Sequence, residues 1–281
     1  MPPPVKLEEI PKKGGGVRPL GIPTIADRVA QTVVAELLAK EVEPIFHEDS
    51  YGYRPGKSAI QALGKARERS WKYDLVVDLD IRSFFDTLPH DLLMKAARKH
   101  LRCKWALLYI ERWLVAPVQR EDGTIEARTK GVLQGSVIGP VLSNLYLHYA
   151  MDVSLRKNYP DCPFERFADD NVVHCRTQAA AVRVKEGLEA RLKECGLEMH
   201  AEKTKIVYCK DSNRRGNYPN VQLDFLGYTF KPRMAQNSIR KVWFTNCLPA
   251  VSNKAMKSMR EKMRQWMTLK NGWMPNRGYS C

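Results

Sequence analysis

The sequence lacks a hydrophobic run that could cross a membrane, since no apolar stretch in its 281 residues reaches the roughly 18 that a spanning helix needs. The first ten residues, MPPPVKLEEI, do not contain the apolar core of a signal peptide. The seven cysteines include no C-x-x-C pair, and their odd number argues against a disulfide framework. These absences predict a cytoplasmic protein with no membrane partner and no zinc site.

Acidic residues are scarce beside basic ones: 31 Asp and Glu face 46 Lys and Arg, a formal net charge of +15. The last 81 residues hold 16 Lys and Arg but only 4 Asp and Glu, so they carry +12 of that charge. Aromatic residues are interleaved there, which is typical of a nucleic-acid surface. A solubilising face or contact with a membrane surface is less favoured, because the basic residues are spread over several predicted elements.

Apolar periodicity predicts a few strands among many helices, which favours an α+β fold. Residues 26–46 have the pattern of a helix that Asp27 caps and that has one apolar face: Val29, Val33, Leu37 and Val42. Residues 251–267 predict a second amphipathic helix with an apolar stripe and a basic stripe. The apolar stripe comprises Met256, Met259, Met263 and Trp266, and the basic stripe comprises Lys257, Arg260 and Arg264.

Carboxylates lie on two predicted strands. The segment YDLVVDLDIRSFFDTL places Leu75, Val77, Leu79 and Ile81 on one face of a strand, and Val76, Asp78 and Asp80 on the other. The segment RFADDNVVHC places Asp169 and Asp170 together between two strand-like runs. Acids at a hairpin turn often do no more than solvate it, but adjacent buried carboxylates repel unless a cation neutralises them.

A two-metal phosphoryl-transfer centre needs carboxylates from separate strands around ions about 3.5–4 Å apart. If the two predicted strands are neighbours, the acid pair can meet an acid of the first strand. Asp78 and Asp80 face the same way by the two-residue period, so spacing alone does not choose between them.

At this point the ordered blocks resemble a known family. LDIRSFFD, LQGSVIGPVLSNLYL, RFADDNVV, GLEMHAEKTKIV and FLGYTF follow one another as in reverse transcriptases, and in particular the reverse transcriptase/maturase type encoded by bacterial group II introns. Upstream, IPKKGGGVRPLGIPT, RVAQTVV and SYGYRPGKSA resemble the fingers and early palm blocks of that family. The resemblance covers almost the whole chain.

The resemblance implies roles for individual residues. The catalytic and metal-binding acids are Asp80, Asp169 and Asp170, with the backbone carbonyl of Ile81 as a further metal ligand; Asp78 has no catalytic counterpart. The nucleotide-binding residues are Lys12, Arg18, Phe85 and Gln134, where Phe85 is the steric gate against a 2′-hydroxyl. The primer- and template-binding residues are Gly135, Phe167, Lys203, Gly227, Lys257, Arg260 and Arg264.

Three departures from the family pattern qualify the resemblance. The N-terminal fingers extension is expected to be missing or nearly so. Only the first thumb helix is expected, without the rest of the thumb, a DNA-binding segment or an H-N-H nuclease, and the ending NGWMPNRGYSC matches nothing in the family pattern. Asn171 follows the acid pair where an apolar residue is usual, which predicts a looser hairpin.

The sequence therefore predicts a right-hand polymerase fold with fingers at 1–74, palm at 75–247 and the start of a thumb at 248–281. The implied function is RNA-directed DNA synthesis with two Mg²⁺ ions, for which Mn²⁺ is a substitute. The implied partners are a group II intron RNA, an RNA template with a DNA primer, and deoxynucleotide triphosphates; a homodimer is left open. The alternatives are a non-catalytic splicing maturase and a reverse transcriptase of a retron or defence system.

Overall fold

The computed structural model describes residues 2–11, 16–237 and 239–271; the predicted nucleotide-binding residue Lys12 lies outside them. The strands of the described residues are β1 (Val5–Pro11), β2 (Val17–Ile22), β3 (Leu75–Leu79), β4 (Val118–Gln119), β5 (Ile125–Glu126), β6 (Phe164–Phe167), β7 (Asp170–Cys175), β8 (Lys205–Tyr208), β9 (Leu223–Phe225), β10 (Tyr228–Gln236) and β11 (Trp243–Val251). The α-helices are α1 (Ile25–Val42), α2 (Ala59–Ser70), α3 (Phe84–Thr87), α4 (His90–His100), α5 (Lys104–Val115), α6 (Gly139–Leu147), α7 (Val153–Asn158), α8 (Gln178–Glu194) and α9 (Asn253–Asn271). A 3₁₀ turn follows α1 at Glu43–Ile45, and a π-helix at His148–Asp152 joins α6 to α7.

The central sheet is antiparallel and has the strand order β6-β7-β3-β8. The two-residue period of β3 divides its side chains between two cores, as predicted. Leu75, Val77 and Leu79 face a core built with α1, α4, α5, α6 and α8. Val76 faces a second core, which α2 and the strands β9 to β11 complete. The sheet therefore separates a helical layer from a layer that contains the second sheet.

Two smaller sheets flank the central one. Strands β2-β1-β4-β5 form one of them, in which β1 and β2 pair as an antiparallel hairpin. Strands β11-β10-β9 form the other. The β9–β10 turn consists of Leu226 and Gly227, whose φ angles of 50° and 82° are both positive. Two positive φ angles define the type I′ turn of tight hairpins, so Gly227 suits its position.

The α1 helix buries only part of the predicted face, at Val42 and partly at Leu37. Val34, Leu38 and Val42 are buried with Gln31, whereas Val29 and Val33 are 62% and 49% exposed. The helix has apolar residues on more than one face, so local periodicity does not decide which face is buried. Packing on the helical core selects the face with Val34 and Leu38. The N-cap is also shifted, since the hydroxyl of Thr24 accepts a hydrogen bond from the backbone N–H of Asp27.

The predicted C-terminal helix is present as α9; Met256 of its apolar stripe is half-buried, but the rest of the stripe is exposed. Met259, Met263 and Trp266 are 55%, 57% and 68% exposed. Lys257 and Arg260 are exposed as well. The helix begins beside the β9–β10 turn, where Ser252 donates its backbone N–H to the carbonyl of Gly227 at 2.9 Å. No helix of the described residues is both long and apolar enough to span a membrane.

Candidate active site

Two adjacent strands bring the predicted acids to one edge of the central sheet. The β3–β7 register pairs Leu79 with Asn171, so Asp80, the next residue of the chain, faces Asp170. Strands β6 and β7 close at the pair Phe167–Asp170, which leaves Ala168 and Asp169 as the two turn residues. The hairpin therefore carries both of its acids towards the end of β3, as the sequence predicts.

Tight packing shapes this turn. Ala168 has a φ of 57°, at the position where a two-residue hairpin with one positive φ favours glycine. The loop at Gly52 lies directly against it: a Cβ on Gly52 would stand 2.3 Å from the backbone nitrogen of Ala168. Only glycine fits there. Asn171, expected to loosen the hairpin, instead donates its side-chain amide to the carbonyl of Asp169 at 2.6 Å and fastens the turn.

The acids of this edge raise one another's pKa values. The Asp170 side chain is exposed at the start of β7, but loss of hydration where the protein surrounds its carboxylate, then the charges of Asp169 and Asp80, raise its pKa to about 6. Burial and the charge of Asp80 also raise the pKa of Asp169, against the nearby positive charge of Arg18. Burial and the charges of Asp170, Asp80 and Asp224 raise the pKa of Asp78 to about 7. Such a concentration of negative charge favours the binding of a cation.

The donor set fits Mg²⁺ by its chemistry, because carboxylate oxygens are the ligands that this ion prefers. Within the described ranges, however, no three acid, histidine or cysteine side chains are placed so that they could hold a metal ion. The carboxylate of Asp80 is instead paired with the ammonium group of Lys203, at 3.3 Å. A positive charge thus already stands beside the acid that the sequence predicts to be a metal ligand.

The backbone of Asp80 is fixed more firmly than its side chain. Its carbonyl accepts a hydrogen bond from the N–H of His200 at 2.8 Å, and its N–H donates to the hydroxyl of Thr204 at 3.2 Å. Ile81 is buried and forms an isolated antiparallel bridge with Met199. These contacts tie the end of β3 to the loop that carries Lys203.

The predicted nucleotide-binding residues lie on three neighbouring elements. Arg18 is on the exposed part of β2, and its charge reaches Asp169. The backbone carbonyl of Gln134 accepts a hydrogen bond from the backbone N–H of Gly21 at 2.8 Å, which joins the loop of Gln134 to β2. Gly135 has a φ of 99°, and a Cβ there would stand 2.5 Å from the carbonyl oxygen of Gly21. Glycine is therefore required at this position.

Phe85 is half-buried in α3, directly after β3. Its ring packs edge-to-face on Phe84 at a centroid separation of 5.1 Å, and it borders the helical core. Its carbonyl accepts a hydrogen bond from Val132 at 2.6 Å, so α3 is tied to the loop that carries Gln134.

The predicted primer- and template-binding residues are more dispersed. Phe167 lies opposite Asp170 in the β6–β7 hairpin, and its ring centroid is 6.4 Å from that of Tyr53. Gly227 lies instead at the β9–β10 turn beside α9. The basic residues of α9 follow in the helix that begins beside this turn.

Tyr53 was not predicted. It is 58% exposed and has a φ of 56°. Burial of its hydroxyl and the charge of Asp169 raise its pKa, while Arg18 lowers it. An exposed aromatic residue in the SYGYRPGKSA block is the signal that would have indicated it.

Arg166 was also missed, although it immediately precedes the acid-bearing turn. It is fully buried and forms a two-pronged ion pair with Asp152, at 2.8 and 2.7 Å. The same guanidinium donates to the side-chain oxygen of Asn144 at 2.8 Å and to the carbonyl of Ala168 at 3.2 Å. Asn144 in turn donates to the carbonyl of Gly52 at 2.6 Å. The network therefore holds the hairpin turn from the helical side of the sheet.

A second buried network holds the other face of the hairpin. Glu165 accepts from Arg69 at 2.5 Å and contacts the ring nitrogen of His174 at 2.6 Å. Arg69 also donates to Asp49 at 2.7 Å, and Asp49 accepts from the hydroxyl of Tyr51 at 2.9 Å. The sequence signal for both networks is a pair of consecutive residues of opposite charge, Glu165 and Arg166, within a predicted strand. Their side chains must face opposite sides of the sheet, and each needs a partner of opposite charge if it is buried.

Comparison with known proteins identifies the class. A family model described as reverse transcriptase (RNA-dependent DNA polymerase) matches residues 10–230. The chain belongs to the reverse transcriptase family, as its sequence blocks predicted.

Named relatives include proteins of group II introns. Protein YkfC of Escherichia coli K12 is 32% identical over an alignment of length 257. That alignment covers 75% of this chain and 65% of YkfC. The group II intron-encoded protein LtrA of Lactococcus lactis subsp. cremoris is 32% identical over 148 residues, or 52% of this chain and 24% of LtrA. A putative COX1/OXI3 intron 1 protein of Saccharomyces cerevisiae is 28% identical over 144 residues, covering 51% of this chain and 17% of that protein. The chain thus spans less than two thirds of the length of each of these relatives.

Solved structures confirm the fold. The telomerase of Candida albicans, solved with a fragment of telomeric RNA, superposes with a TM-score of 0.66 over 90% of this chain and 46% of its own, at 14% identity. The apo telomerase of Candida tropicalis, truncated from its C-terminal domain, superposes with a TM-score of 0.61 over 88% of this chain and 55% of its own, at 15% identity. The predicted right-hand polymerase fold of the α+β class is therefore correct.

Proposed function

We propose that this chain is the polymerase part of a group II intron reverse transcriptase/maturase. It would extend a DNA primer on an RNA template with deoxynucleotide triphosphates and would also bind its intron RNA. The observation that supports this most is the meeting of Asp80 with the Asp169–Asp170 hairpin at one sheet edge, in a chain of the reverse transcriptase family. Its similarity to LtrA supports the intron type.

The three acids are the proposed holders of two Mg²⁺ ions, with Mn²⁺ as a substitute and the carbonyl of Ile81 as a further ligand. Bound metal would supply Lewis-acid activation of the primer hydroxyl and neutralise charge on the triphosphate. Desolvation, together with the charges of Asp169 and Asp80, raises the pKa of Asp170 to about 6, and this supports the role because a cation would relieve the repulsion among the three acids.

The remaining proposed roles belong to side chains around the acids. Lys12 and Arg18 bind the triphosphate through charge-assisted contacts, and the position of Arg18 near Asp169 supports this. Phe85 excludes a 2′-hydroxyl, and Gln134 and Gly135 line the nascent pair. Phe167, Lys203 and Gly227 contact primer and template. Lys203 would leave Asp80 when a metal ion or the nucleic acid takes over its charge neutralisation.

The division into fingers (1–74), palm (75–247) and the start of a thumb (248–281) remains part of the proposal. Strands β1 and β2 with helix α1 would form most of the fingers side, and the central sheet would form the palm. The prediction of a homodimer stays open.

Primer extension on an RNA template with Mg²⁺ and deoxynucleotides tests the proposed function. We expect the purified chain to extend the primer and Asp169→Asn to abolish extension, because the change removes a metal ligand. Asp161→Asn removes an acid from an exposed loop and should leave extension unchanged. RNA binding should survive both changes, because phosphate contacts come from basic residues. Tight RNA binding without extension by the unchanged chain would favour a non-catalytic splicing maturase instead.

A further inference from the structure

Two cysteines face each other across the strands that carry the catalytic hairpin. The β6–β7 register pairs Phe164 with Val173, and His174 continues the ladder by donating to the carbonyl of Pro163 at 2.8 Å. Cys162 precedes β6; continued by one residue, the same register sets it opposite Cys175, and the thiols of the two residues are hydrogen-bonded to each other. Both side chains belong to the helical core on one face of the sheet.

The alternation of the ladder decides how close the two residues are. Pro163 and His174 form a hydrogen-bonded pair, so Cys162 and Cys175 occupy the next, non-hydrogen-bonded pair. Residues of such a pair have Cα atoms about 4.5 Å apart. Disulfides bridge Cα separations of about 4.4–6.8 Å, so these strands need little movement to accept one.

The two thiols differ in access and in acidity. Cys175 is 0% exposed, whereas Cys162 is 9% exposed and borders a surface groove with Arg156, Tyr159 and Pro160. A hydrogen bond from the thiol of Cys175 lowers the pKa of Cys162, while the same contact and burial raise the pKa of Cys175. Cys162 is therefore the better nucleophile and the one that a small reagent can reach.

We propose that Cys162 and Cys175 form an oxidisable dithiol, which a hydroperoxide converts to a disulfide across the two strands of the catalytic hairpin. The thiolate of Cys162 attacks one peroxide oxygen, the O–O bond breaks, and a sulfenic acid forms as hydroxide or alkoxide leaves. The sulfur of Cys175 then attacks that of Cys162, an S–S bond forms, and water leaves. The two sulfurs together lose two electrons, which the peroxide gains.

The chain contains an internal comparison. Cys209 and Cys247 also contact each other through their thiols, but both are 0% exposed. If oxidation proceeds in the folded protein by access to Cys162, the Cys162–Cys175 link should form well before the Cys209–Cys247 link. If it proceeds only through unfolding, both links should form together.

Peptide mapping of the full chain tests the proposal. The reduced protein is treated with hydrogen peroxide for increasing times, alkylated, digested and analysed by mass spectrometry, while circular dichroism follows its fold. We expect the peptide that links Cys162 to Cys175 to appear at least tenfold faster than the Cys209–Cys247 peptide, and dithiothreitol to remove it. In Cys175→Ser, Cys162 should accumulate as a sulfenic acid that dimedone traps. Cys195→Ser, a buried cysteine outside both pairs, should not change the rate.

The proposal is overturned if Cys162 is oxidised without linking to Cys175 while the protein stays folded. Equal rates for the two links would overturn it as well. The readout does not use polymerase activity, so the result stands apart from the proposed function.

Discussion

Asp78 is the acid of the β3 edge that the resemblance leaves without a catalytic role. Partial burial and the charges of Asp170 and Asp80 raise the pKa of its carboxyl from 3.8, the value of an exposed aspartate, to about 7 in the folded protein. Between pH 4 and pH 7 the carboxyl of Asp78 is therefore protonated in the folded protein but ionised in the unfolded chain. The free energy of unfolding therefore falls as the pH rises from about 4 to 7, and the penalty is complete above that range.

Asp78→Asn should relieve this penalty. We expect the substitution to raise the free energy of unfolding at pH 8 by on the order of 1–3 kcal/mol, and by less at pH 4.5. Urea titrations at both pH values, in metal-free buffer, measure the difference. An equal gain at the two pH values would show that charge repulsion at Asp78 does not cause the effect.

Phe85 tests whether a half-buried ring controls the choice of sugar. Phe85→Val removes the bulk that would exclude a 2′-hydroxyl, so incorporation of ribonucleotides relative to deoxynucleotides should rise roughly tenfold or more. Single-nucleotide extension with each substrate measures the ratio. The control is Phe84→Leu, which alters the neighbouring buried ring. If Phe85→Val folds and keeps the original preference, Phe85 is simply part of the core.

At the scale of elements, the β6–β7 hairpin depends on a buried ion pair with a residue of the π-helix. Asp152 is the last residue of that π-helix, and it meets Arg166 with both side chains almost fully buried. Breaking a buried pair leaves an uncompensated charge, so Asp152→Ala should cost about 3–5 kcal/mol in the free energy of unfolding. The exposed pair Arg98–Glu111 is the comparison, and Glu111→Ala should cost less than about 1 kcal/mol. Denaturant titration of both variants measures these losses in the free energy of unfolding. Equal losses would contradict the dependence of the hairpin on the buried ion pair.

Sequence patterns over a few residues predict features that depend only on residues close together in the chain. The two-residue period of β3 and the acid pair at the hairpin turn are visible because strand geometry fixes them over a few residues. The pairing of Arg166 with Asp152 and Asn144 joins residues 14 and 22 positions apart, so no local period marks it. The face of α1 was predicted wrongly at Val29 and Val33 for a similar reason: Val33 and Val34 are adjacent, and only tertiary packing decides which is buried.

Over the whole molecule, the two faces of the central sheet differ in what they offer to nucleic acid. The helical layer with α4 and α8 covers the core on one face. On the other face, α9 follows β11 and begins at the β9–β10 turn. The predicted basic stripe of α9 contains Lys257, Arg260 and Arg264, and it belongs to the 81-residue region that carries most of the net charge.

We expect this stripe to bind phosphates of the primer–template or intron RNA. Each phosphate that is neutralised releases counterions, so the logarithm of the binding constant should fall with the logarithm of salt by about 0.7–0.9 per contact. Replacing all three residues with Gln should reduce that slope by roughly 2–3 units and weaken RNA and hybrid duplex binding alike, because phosphate contacts carry no sequence information. Lys95, Lys99 and Lys193, exposed on α4 and α8, provide a matched triple replacement with the same loss of charge. If both triple variants change the slope equally, only net charge matters; if the α9 variant leaves it unchanged, the stripe does not bind nucleic acid.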